Sequence, residues 1–260
     1  DNVCPGNHQL HSIGICIAGF SEADRGIVHQ SPNLYWHEPV NLGELMTEKL
    51  NCPVLVENDA NAAVLGEVFF GAAKGHRDVI YVTISTGIGG GLFLNGQLYR
   101  GSRGFAGEIG HIKPFGRGRQ CNCGGNDCLE IWASGTGIAQ SANAVWDKKE
   151  WGLDDLDAQW VFDETEKGNE LAQAIIDDAA LKTGRALANL VNMLNPSCIV
   201  VGGGIAAGRP AYFKEVIEIM KKEAIRPAVQ ISTVEVVEAS LEPDAGVWGM
   251  YALLTGQVVS

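Results

Sequence analysis

The chain has 260 residues, of which 46% are hydrophobic and 19% are charged, a composition typical of a globular protein with one large domain or two small ones. Acidic residues outnumber basic ones by 31 to 19, and the resulting formal net charge of −12 argues against a nucleic-acid-binding surface, which needs a basic face. No apolar run reaches the roughly 18 residues of a membrane-spanning helix, so no transmembrane helix is predicted.

The first third of the chain alternates short apolar runs with turn residues. Residues 12–18 predict a buried strand that ends at a glycine, and residues 53–57 predict a second strand. The small and apolar residues of 60–70 are typical of a helix packed tightly on a sheet. Either Asn58 or Asp59 is expected to cap this helix at its N-terminus.

Strands and helices continue to alternate to the end of the chain. Residues 79–85 predict a strand, and Asn95-Gly96 predicts the type I′ turn of a hairpin. This alternation predicts a parallel or mixed α/β architecture. The remaining predicted elements are helices over 131–145, 168–194, 214–224 and 246–254, and strands over 197–204 and 229–237.

A polar break at residues 74–78 is the best candidate for a boundary between two lobes. We therefore predict a small α/β lobe over residues 1–73 and a large α/β lobe over residues 74–246. The terminal helix, over residues 247–260, is expected to pack back on the small lobe. Residues 117–130 are predicted to form a cysteine-rich loop in the large lobe.

This loop carries the strongest chemical signal in the sequence. The chain has seven cysteines, and Cys121, Cys123 and Cys128 lie within one short stretch. Together with His111 they form a normal ligand set for structural zinc, which is held tetrahedrally by four nitrogen or sulfur atoms. Buried free thiols are the alternative, although a polar, glycine-rich stretch does not suit them. Clustered thiols also indicate metal binding in a reducing compartment, so a cytoplasmic protein is expected.

Two glycine-rich turns follow predicted strands, at residues 83–91 and 201–208. Glycines after a strand let backbone N–H groups approach a phosphate closely, and a nearby hydroxyl adds a donor. Neither turn is a Walker A loop, since no Gly-Lys-Ser/Thr follows, and neither matches a dinucleotide-binding motif well. Tight-turn geometry also explains such runs, so each turn alone leaves both explanations open.

Three carboxylates are candidates for catalysis or sugar binding. Asp59 lies where a strand ends and a helix begins, at the sheet edge where α/β proteins bind ligands. Helix capping is the alternative, and it is favoured when this segment is taken alone. Glu108 and Glu130 bracket the cysteine cluster. Lone acidic side chains are usually solvated, but two that are anchored beside a metal loop are suited to binding sugar hydroxyls.

These segments together resemble the ROK family, which comprises repressors, open reading frames and kinases. Their order and spacing match the family pattern over nearly the whole chain. The resemblance implies an actin/hexokinase-like (ribonuclease H-like) α/β fold, with two lobes that close on a cleft. The matching segments are ENDANAAVLGE (57–67), TISTGIGGG (83–91), GEIGH (107–111), CNCGGNDCLE (121–130) and VVGGGIAAG (200–208).

The resemblance also implies a role for each matching residue. Asp59 corresponds to the catalytic base that faces the sugar 6-hydroxyl. Zinc is expected to be structural and to orient His111 and Glu130, because four protein ligands leave no open coordination position. Phosphoryl transfer would depend on Mg-ATP. The implied sugar ligands are Gly19, Asn33, Asn58, Glu108, His111 and Glu130, and the implied nucleotide-binding residues are Thr86, Gly87, Gly203 and Gly204.

The sequence departs from the family pattern at two places. The family usually has glycine just before the last cysteine of the zinc loop, where this chain has Asp127. We expect the loop to survive, because Asp tolerates a left-handed backbone better than most residues. Family kinases also begin with a strand carrying Asp-x-Gly-x-Thr, which holds the ATP phosphates and magnesium. This motif is missing and the first residue is Asp1, so we expect a preceding segment to carry it and residues 1–260 alone to be inactive.

Residues 17–36 resemble the corresponding stretch of bacterial glucokinases in this family, so glucose is the expected substrate. Kinases of N-acetylmannosamine and N-acetylglucosamine share the other motifs and remain alternatives. A sugar-responsive repressor shares the core and the zinc loop, but the intact base motif, the intact phosphate turn and the acidic charge favour an enzyme. A metal-stabilised sugar-binding module without catalysis is a further alternative. The family resemblance implies a homodimer or homotetramer.

Overall fold

The protein is a mixed α/β structure in the computed structural model, which describes residues 10–31, 34–114, 118–146, 156–231 and 233–257. The described strands, in chain order, are β1 (Ile13–Ile17), β2 (Phe20–Glu22), β3 (Ile27–Gln30), β4 (Val40–Asn41), β5 (Val54–Asn58), β6 (Val79–Ile84), β7 (Ile88–Leu94), β8 (Gln97–Leu98), β9 (Cys198–Gly202) and β10 (Glu235–Glu238). They form three sheets, with the orders β1-β5, β2-β3-β4 and β10-β9-β6-β7-β8.

The helices pack around these sheets, and most of the longer ones begin at a polar side chain that accepts a backbone N–H. Such caps are Asn41, Asn58, Ser134, Asp157 and Asn169. No helix in the described ranges combines the length and hydropathy needed to cross a bilayer. The helices are α1 (Leu42–Leu50), α2 (Asp59–Phe69), α3 (Glu130–Ala133), α4 (Gly135–Val145), α5 (Ala158–Glu166), α6 (Glu170–Leu194), α7 (Gly204–Ala207), α8 (Pro210–Glu223), α9 (Arg226–Gln230) and α10 (Ala245–Leu254).

The chain divides into two compact units. The first comprises Asp1–Val79, Gly91–Gly107 and Ser240–Ser260, and the second comprises Ile80–Gly90 and Glu108–Ala239. The first unit thus extends to Val79, six residues past the predicted boundary, and it includes two further segments, residues 91–107 and 240–246, which the sequence analysis assigned to the large lobe.

Contacts with α2 explain why these two segments belong to the first unit. Gly91 packs so closely on the backbone of Ala60 that a side chain there would collide with it. Glu67 is fully buried near the end of α2, and its Oε1 accepts the backbone N–H groups of Ser240 and Leu241, both at 2.9 Å. Both contacts join residues far apart in sequence, and local sequence patterns do not reveal them.

The core of the first unit lies between the parallel pair β1-β5, the small antiparallel sheet and two helices. Ile17, Val28, Leu42 and Val56 form one buried cluster at the centre. Helices α2 and α10 approach closely because Gly66 on α2 and a glycine on α10 present no side chain at the contact. This packing fixes the N-terminus of α2, where a predicted catalytic residue lies.

The second unit is built on strands that are buried on both faces. All five residues of β9 are buried, and in β6 only Thr83 is partly exposed. Continuous apolar strands of this kind are typical of a sheet covered by helices. The long helix α6 is capped by Asn169 and ends at Asn195, whose backbone is left-handed with φ of 44°.

The predicted turn at Asn95-Gly96 is confirmed, since both residues have positive φ, 54° and 80°. The helix predicted over 131–145 is interrupted at Ser134, which caps α4 through a 3.0 Å hydrogen bond from the Gly137 N–H. The strand predicted over 229–237 is wrong at its start. Pro227 lies in the first turn of α9, where its fixed φ favours a helix, and the strand begins only at Glu235.

Candidate active site

The predicted site residues fall into two groups, one in each compact unit. Asn33 lies outside the described residues. The first unit holds Gly19, Asn58 and Asp59, and the second holds Thr86, Gly87, Glu108, His111, Cys121, Cys123, Cys128, Glu130, Gly203 and Gly204.

The four predicted metal ligands are brought together in the second unit. One ligand atom from each of His111, Cys121, Cys123 and Cys128 lies within 4.8 Å of the others. The Sγ atom of Cys121 is 3.9 Å from Nδ1 of His111, and the Sγ atoms of Cys123 and Cys128 are 3.6 Å apart. Two sulfurs bound tetrahedrally at zinc distance would be about 3.8 Å apart. The donor set and its spacing therefore fit zinc.

The charge of this cluster also fits a cation. Burial and hydrogen bonds that its thiol donates to the neighbouring cysteines raise the pKa of Cys128 to about 12 when no metal is present. Three thiols this close cannot all be thiolates unless a positive ion offsets their charge. A bound metal ion would provide that charge. Its bonds to the four ligands would also take the place of the hydrogen bonds between the thiols.

Asp127 explains how the loop tolerates a residue other than glycine before Cys128. Its backbone is left-handed, with φ of 60°, so the expectation from sequence is confirmed. The two carboxylate oxygens accept the backbone N–H groups of Gly118 at 2.8 Å and Arg119 at 3.0 Å. The Asp127 side chain thus holds the first residues of the loop close to its last ones. Glycine has no side chain and cannot form these hydrogen bonds.

His111 connects the metal cluster to the predicted sugar ligands of the second unit. It ends a 3₁₀ turn over Ile109–His111 and directs Nδ1 toward Cys121, while its Nε2 lies 3.8 Å from Oε2 of Glu108. A metal on Nδ1 fixes the tautomer of the imidazole and leaves Nε2 as a hydrogen-bonding group. Both Nε2 and the carboxylate of Glu108 can then bind hydroxyl groups.

The turn at Thr86-Gly87 has the features of a phosphate site. The Ser85 N–H donates to the Gly87 carbonyl at 2.9 Å and closes the turn. Within the described part of the chain, the N–H groups of Thr86 and Gly87 donate to no protein acceptor, and the Thr86 side chain is exposed. Two N–H groups and a hydroxyl are therefore available to an anion.

The glycines after β9 have different explanations. A side chain on Gly203 would collide with the backbone of Ile84, and φ is 88°, so protein packing alone requires glycine there. Gly204 is exposed, and a Cβ atom added to it would meet no protein atom within 4 Å. Packing against the described residues therefore does not require glycine at this second position, and the open space would admit a ligand.

Asn58, and not Asp59, caps α2. The Oδ1 atom of Asn58 accepts the N–H groups of Ala60 at 2.9 Å and Asn61 at 3.0 Å, and its Nδ2 donates to the Gly19 carbonyl at 3.1 Å. This arrangement brings together Gly19 and Asn58, as the sequence analysis expected, and leaves one Nδ2 hydrogen for a ligand. Oδ1 of Asp59 also accepts the Ala60 N–H at 2.9 Å, but Asn58 makes both capping hydrogen bonds, so the carboxylate of Asp59 is not required as the cap.

Asp59 is the first residue of α2, and its side chain is open to solvent on one side. Protein atoms around its other sides raise the pKa of the Asp59 carboxyl through desolvation, and hydrogen bonds from backbone N–H groups partly offset this effect. A carboxylate with a raised pKa is a better proton acceptor than an ordinary aspartate.

The structure adds Glu57, to which the sequence analysis gave no role of its own. Its side chain is only 1% exposed, and its Oε1 accepts the Asn58 N–H and the Asn61 Nδ2, both at 3.0 Å. Oε2 accepts Nε of Arg100 at 2.7 Å. The pair thus holds the backbone immediately before Asp59. The sequence signal for Glu57 was a charged residue at the end of an apolar strand. Its partner Arg100 could not be inferred, because it lies 43 positions away.

Comparison with known proteins finds relatives over almost the whole chain. The model of the ROK family matches residues 5–257. The glucokinase of Halalkalibacterium halodurans is 37% identical over an alignment of 263 positions, gaps included. The alignment covers 96% of this chain and 78% of that protein. The xylose repressor of Bacillus subtilis is 34% identical over 249 residues, which cover 95% of this chain and 62% of the repressor.

A solved structure shows the same fold. The crystal structure of a ROK family glucokinase from Streptomyces griseus, in complex with glucose and AMPPNP, superposes with a TM-score of 0.74 at 32% sequence identity. The match covers 95% of this chain and 82% of that one. The predicted actin/hexokinase-like fold class is therefore confirmed.

Proposed function

Because the chain belongs to the ROK family, we propose that it is an ATP-dependent kinase that phosphorylates the 6-hydroxyl of a hexose, with glucose as the preferred substrate. Its similarity to glucokinases, one of them solved with glucose and a nucleotide analogue, supports this activity. The observation that carries the proposal is the capping of α2 by Asn58, since the Asp59 carboxylate, whose Oδ1 shares the Ala60 N–H with that cap, is then not required as the cap and is open to solvent on one side.

Asp59 is the general base in this proposal. Its carboxylate orients the sugar 6-hydroxyl and accepts the hydroxyl proton. The hydroxyl oxygen then bonds to the terminal phosphorus of ATP as the bond to the bridging oxygen breaks, and ADP leaves. The transition state is loose, so the base acts mainly by positioning and accepts the proton late. The buried carboxylate of Glu57, paired with the partly exposed Arg100, keeps the backbone before Asp59 in place.

The family resemblance assigns the other sugar hydroxyls to four polar side chains. Asn58 contributes its remaining Nδ2 hydrogen, and Glu108, His111 and Glu130 contribute two carboxylates and an imidazole nitrogen. Gly19 and Asn33 complete the proposed set. Carboxylates accept hydrogen bonds from hydroxyls, and the Nε2–H of an imidazole whose Nδ1 holds a metal donates one, so this set suits a polyol, whose hydroxyls can do both.

Nucleotide binding is assigned to the two glycine turns. The N–H groups of Thr86 and Gly87 would donate to phosphate oxygens. Gly204, where no side chain fills the space, would allow the nucleotide to approach the backbone, and Gly203 would shape the turn before it. Magnesium bound with ATP would offset the charge that develops on the phosphates.

Zinc is the metal proposed for His111, Cys121, Cys123 and Cys128. Four protein ligands complete a tetrahedral site, so the ion would be structural and would not bind the substrate directly. Its effect on the site is indirect, since it fixes the imidazole of His111 and the chain just before Glu130.

A substrate panel tests the proposed activity in the full-length protein. Formation of sugar 6-phosphate from ATP is measured with glucose, mannose, N-acetylglucosamine, N-acetylmannosamine and xylose. We expect the highest kcat/KM with glucose. A clear preference for either acetylated sugar would place the protein with the N-acetylhexosamine kinases instead.

A sugar-responsive repressor is the second candidate, because the chain is also similar to a xylose repressor over 95% of its length. The same panel separates the two functions. A repressor core binds its sugar without consuming ATP, whereas a kinase turns over. Calorimetric binding of a sugar with no ADP formed, in the full-length protein, would favour the repressor or a non-catalytic sugar-binding module.

The family resemblance also supports a homodimer or homotetramer in the cytoplasm. Light scattering measures the mass of the assembled protein directly. A mass equal to that of a single full-length chain would contradict this part of the proposal.

A further inference from the structure

The nucleotide turn of the second unit is held by the segment that follows the zinc ligand Cys128. Oε2 of Glu130 accepts the Ile88 N–H at 3.0 Å, immediately after the turn. The Gly135 N–H donates to the Ser85 carbonyl at 2.7 Å, immediately before it. Two neighbouring contacts from one short segment therefore hold both ends of the turn.

Glu130 is well placed to act as a fixed support. It is the first residue of α3, and the residue before it donates its N–H to the Ile112 carbonyl at 2.8 Å, next to the ligand His111. The Glu130 side chain is partly buried, and a Cβ atom added to Gly87 would lie only 2.7 Å from its Oε2. The carboxylate thus lies directly against the turn that is proposed to bind phosphate.

We propose that Glu130 is a positioning residue for the nucleotide turn, in addition to its proposed contact with the sugar. Its Oε2 fixes the direction of the Ile88 N–H and hence the backbone of Thr86 and Gly87, while Oε1 remains available to a hydroxyl. This inference rests on the proposed function, because it assumes that the turn binds nucleotide. With this role, one carboxylate beside the metal loop would contribute to the binding of both the sugar and the nucleotide.

Two substitutions of Glu130 can separate support of the turn from sugar binding, because only one of them keeps an acceptor for the Ile88 N–H. Glu130→Gln keeps an oxygen that can accept the Ile88 N–H, whereas Glu130→Ala removes it. Both substitutions remove the charged sugar ligand. A residue that only binds sugar would change glucose affinity in both variants and nucleotide affinity in neither.

The experiment measures Mg-AMPPNP binding without sugar, and glucose binding without nucleotide, by calorimetry on the full-length protein. We expect Glu130→Ala to weaken nucleotide binding by roughly 10-fold, as for loss of one hydrogen bond from a charged acceptor, and Glu130→Gln by no more than about 3-fold. Both should weaken glucose binding. Nucleotide affinity equal to that of the wild type in Glu130→Ala would overturn the proposal.

A double-mutant cycle with Gly87→Ala tests the contact itself. Gly87 does not have a left-handed backbone, so alanine is strained there only by its approach to Glu130. We expect Gly87→Ala to weaken nucleotide binding less in the Glu130→Ala background than in the wild type. Additive effects would contradict the proposed contact.

Hydrogen exchange distinguishes this inference from the proposed function. If the wild type binds no Mg-AMPPNP, the kinase proposal fails, but exchange at residues 84–91 still reports on the turn. We expect faster exchange in Glu130→Ala than in Glu130→Gln, with zinc content and melting temperature as controls for folding. Equal exchange in all three proteins would show that Glu130 does not position the turn.

Discussion

Two neighbouring side chains at the start of α2 have different tasks. Asn58 makes both capping hydrogen bonds, so the charge of Asp59 is not needed for the helix. We expect Asp59→Asn to lower kcat by a factor of roughly 10² to 10⁴, because it removes the general base while keeping the size of the side chain. The measurement is steady-state turnover of the full-length protein, with folding and zinc content unchanged. Turnover close to that of the wild type would remove Asp59 from the mechanism.

The raised pKa of Asp59 predicts a second effect of the same substitution. A carboxyl whose pKa is higher in the folded state than in the unfolded state adds stability at low pH and loses that contribution as pH rises through the folded pKa. Ionised Asp59 therefore costs stability at pH 7, and Asp59→Asn should raise the free energy of unfolding there. The gain should vanish below about pH 3.9, where the carboxyl is neutral in both states. Urea denaturation from pH 3 to 7 checks the sign, and a variant less stable at pH 7 would contradict it.

At the scale of the element, we expect the cysteine loop to depend on the proposed zinc. We expect one zinc per chain by elemental analysis, and we expect Cys123→Ser to lose the metal and several kcal/mol of stability, because metal binding is coupled to folding. Cys52→Ser is the control, since Cys52 is buried but lies outside the cluster. Normal folding and sugar binding in a protein without metal would refute the structural role of zinc.

Helix α2 is fixed to the chain before α10 by one carboxylate. Glu67 accepts the Ala72 N–H at 2.7 Å, the Ser240 N–H and the Leu241 N–H at 2.9 Å, and the Ser240 hydroxyl at 3.1 Å. Glu67→Gln places an NH₂ group against these donors, so the free energy of unfolding should fall by about 2–4 kcal/mol. Glu48→Gln, at an exposed position of α1, should change it by less than about 0.5 kcal/mol. Equal stability of the two variants by chemical denaturation would disprove this role.

The elements that the sequence predicted correctly have strong local signals. The apolar runs of β1, β5, β6 and β9 identify strands, although only β6 and β9 are buried along almost their whole length, and the turn at Asn95-Gly96 identifies the hairpin. The sequence analysis overlooked α1, although Asn41 and the apolar spacing after it were available signals. It also overlooked the short strands β2 to β4, which are stabilised by pairing with one another more than by their own sequences.

The candidate site was likewise predictable only where its residues carry a local sequence signal. The metal ligands could be recognised because three of them are close in sequence, and the structure brings His111 to them. The hydrogen bonds of Glu57 and Glu130 could not be recognised, because their partners Arg100 and Ile88 are 43 and 42 positions away. The cap of α2 stayed undecided because Asn and Asp have nearly equal capping ability. Only the hydrogen-bond geometry separates Asn58 from Asp59.

At the scale of the whole molecule, the net charge of −12 affects stability. Like charges on a compact chain repel one another, and salt screens this repulsion as the Debye length falls from about 30 Å at 0.01 M to about 10 Å at 0.1 M. We therefore expect the free energy of unfolding to rise by a fraction of a kcal/mol over this range. Denaturation in sodium chloride and in potassium chloride should give the same result, because screening does not depend on the cation. A decrease with salt would show that attractive ion pairs outweigh the net repulsion.

The uneven exposure of the four metal ligands has a consequence for handling the protein. Cys123 is exposed, whereas Cys121 and Cys128 are buried and His111 is partly buried. A water-soluble alkylating reagent such as iodoacetamide therefore reaches Cys123 first, and the thioether that forms is a poor replacement for a thiolate ligand. Metal bound to this sulfur slows the reaction, so the labelling rate at one surface position reports how much of a preparation is loaded.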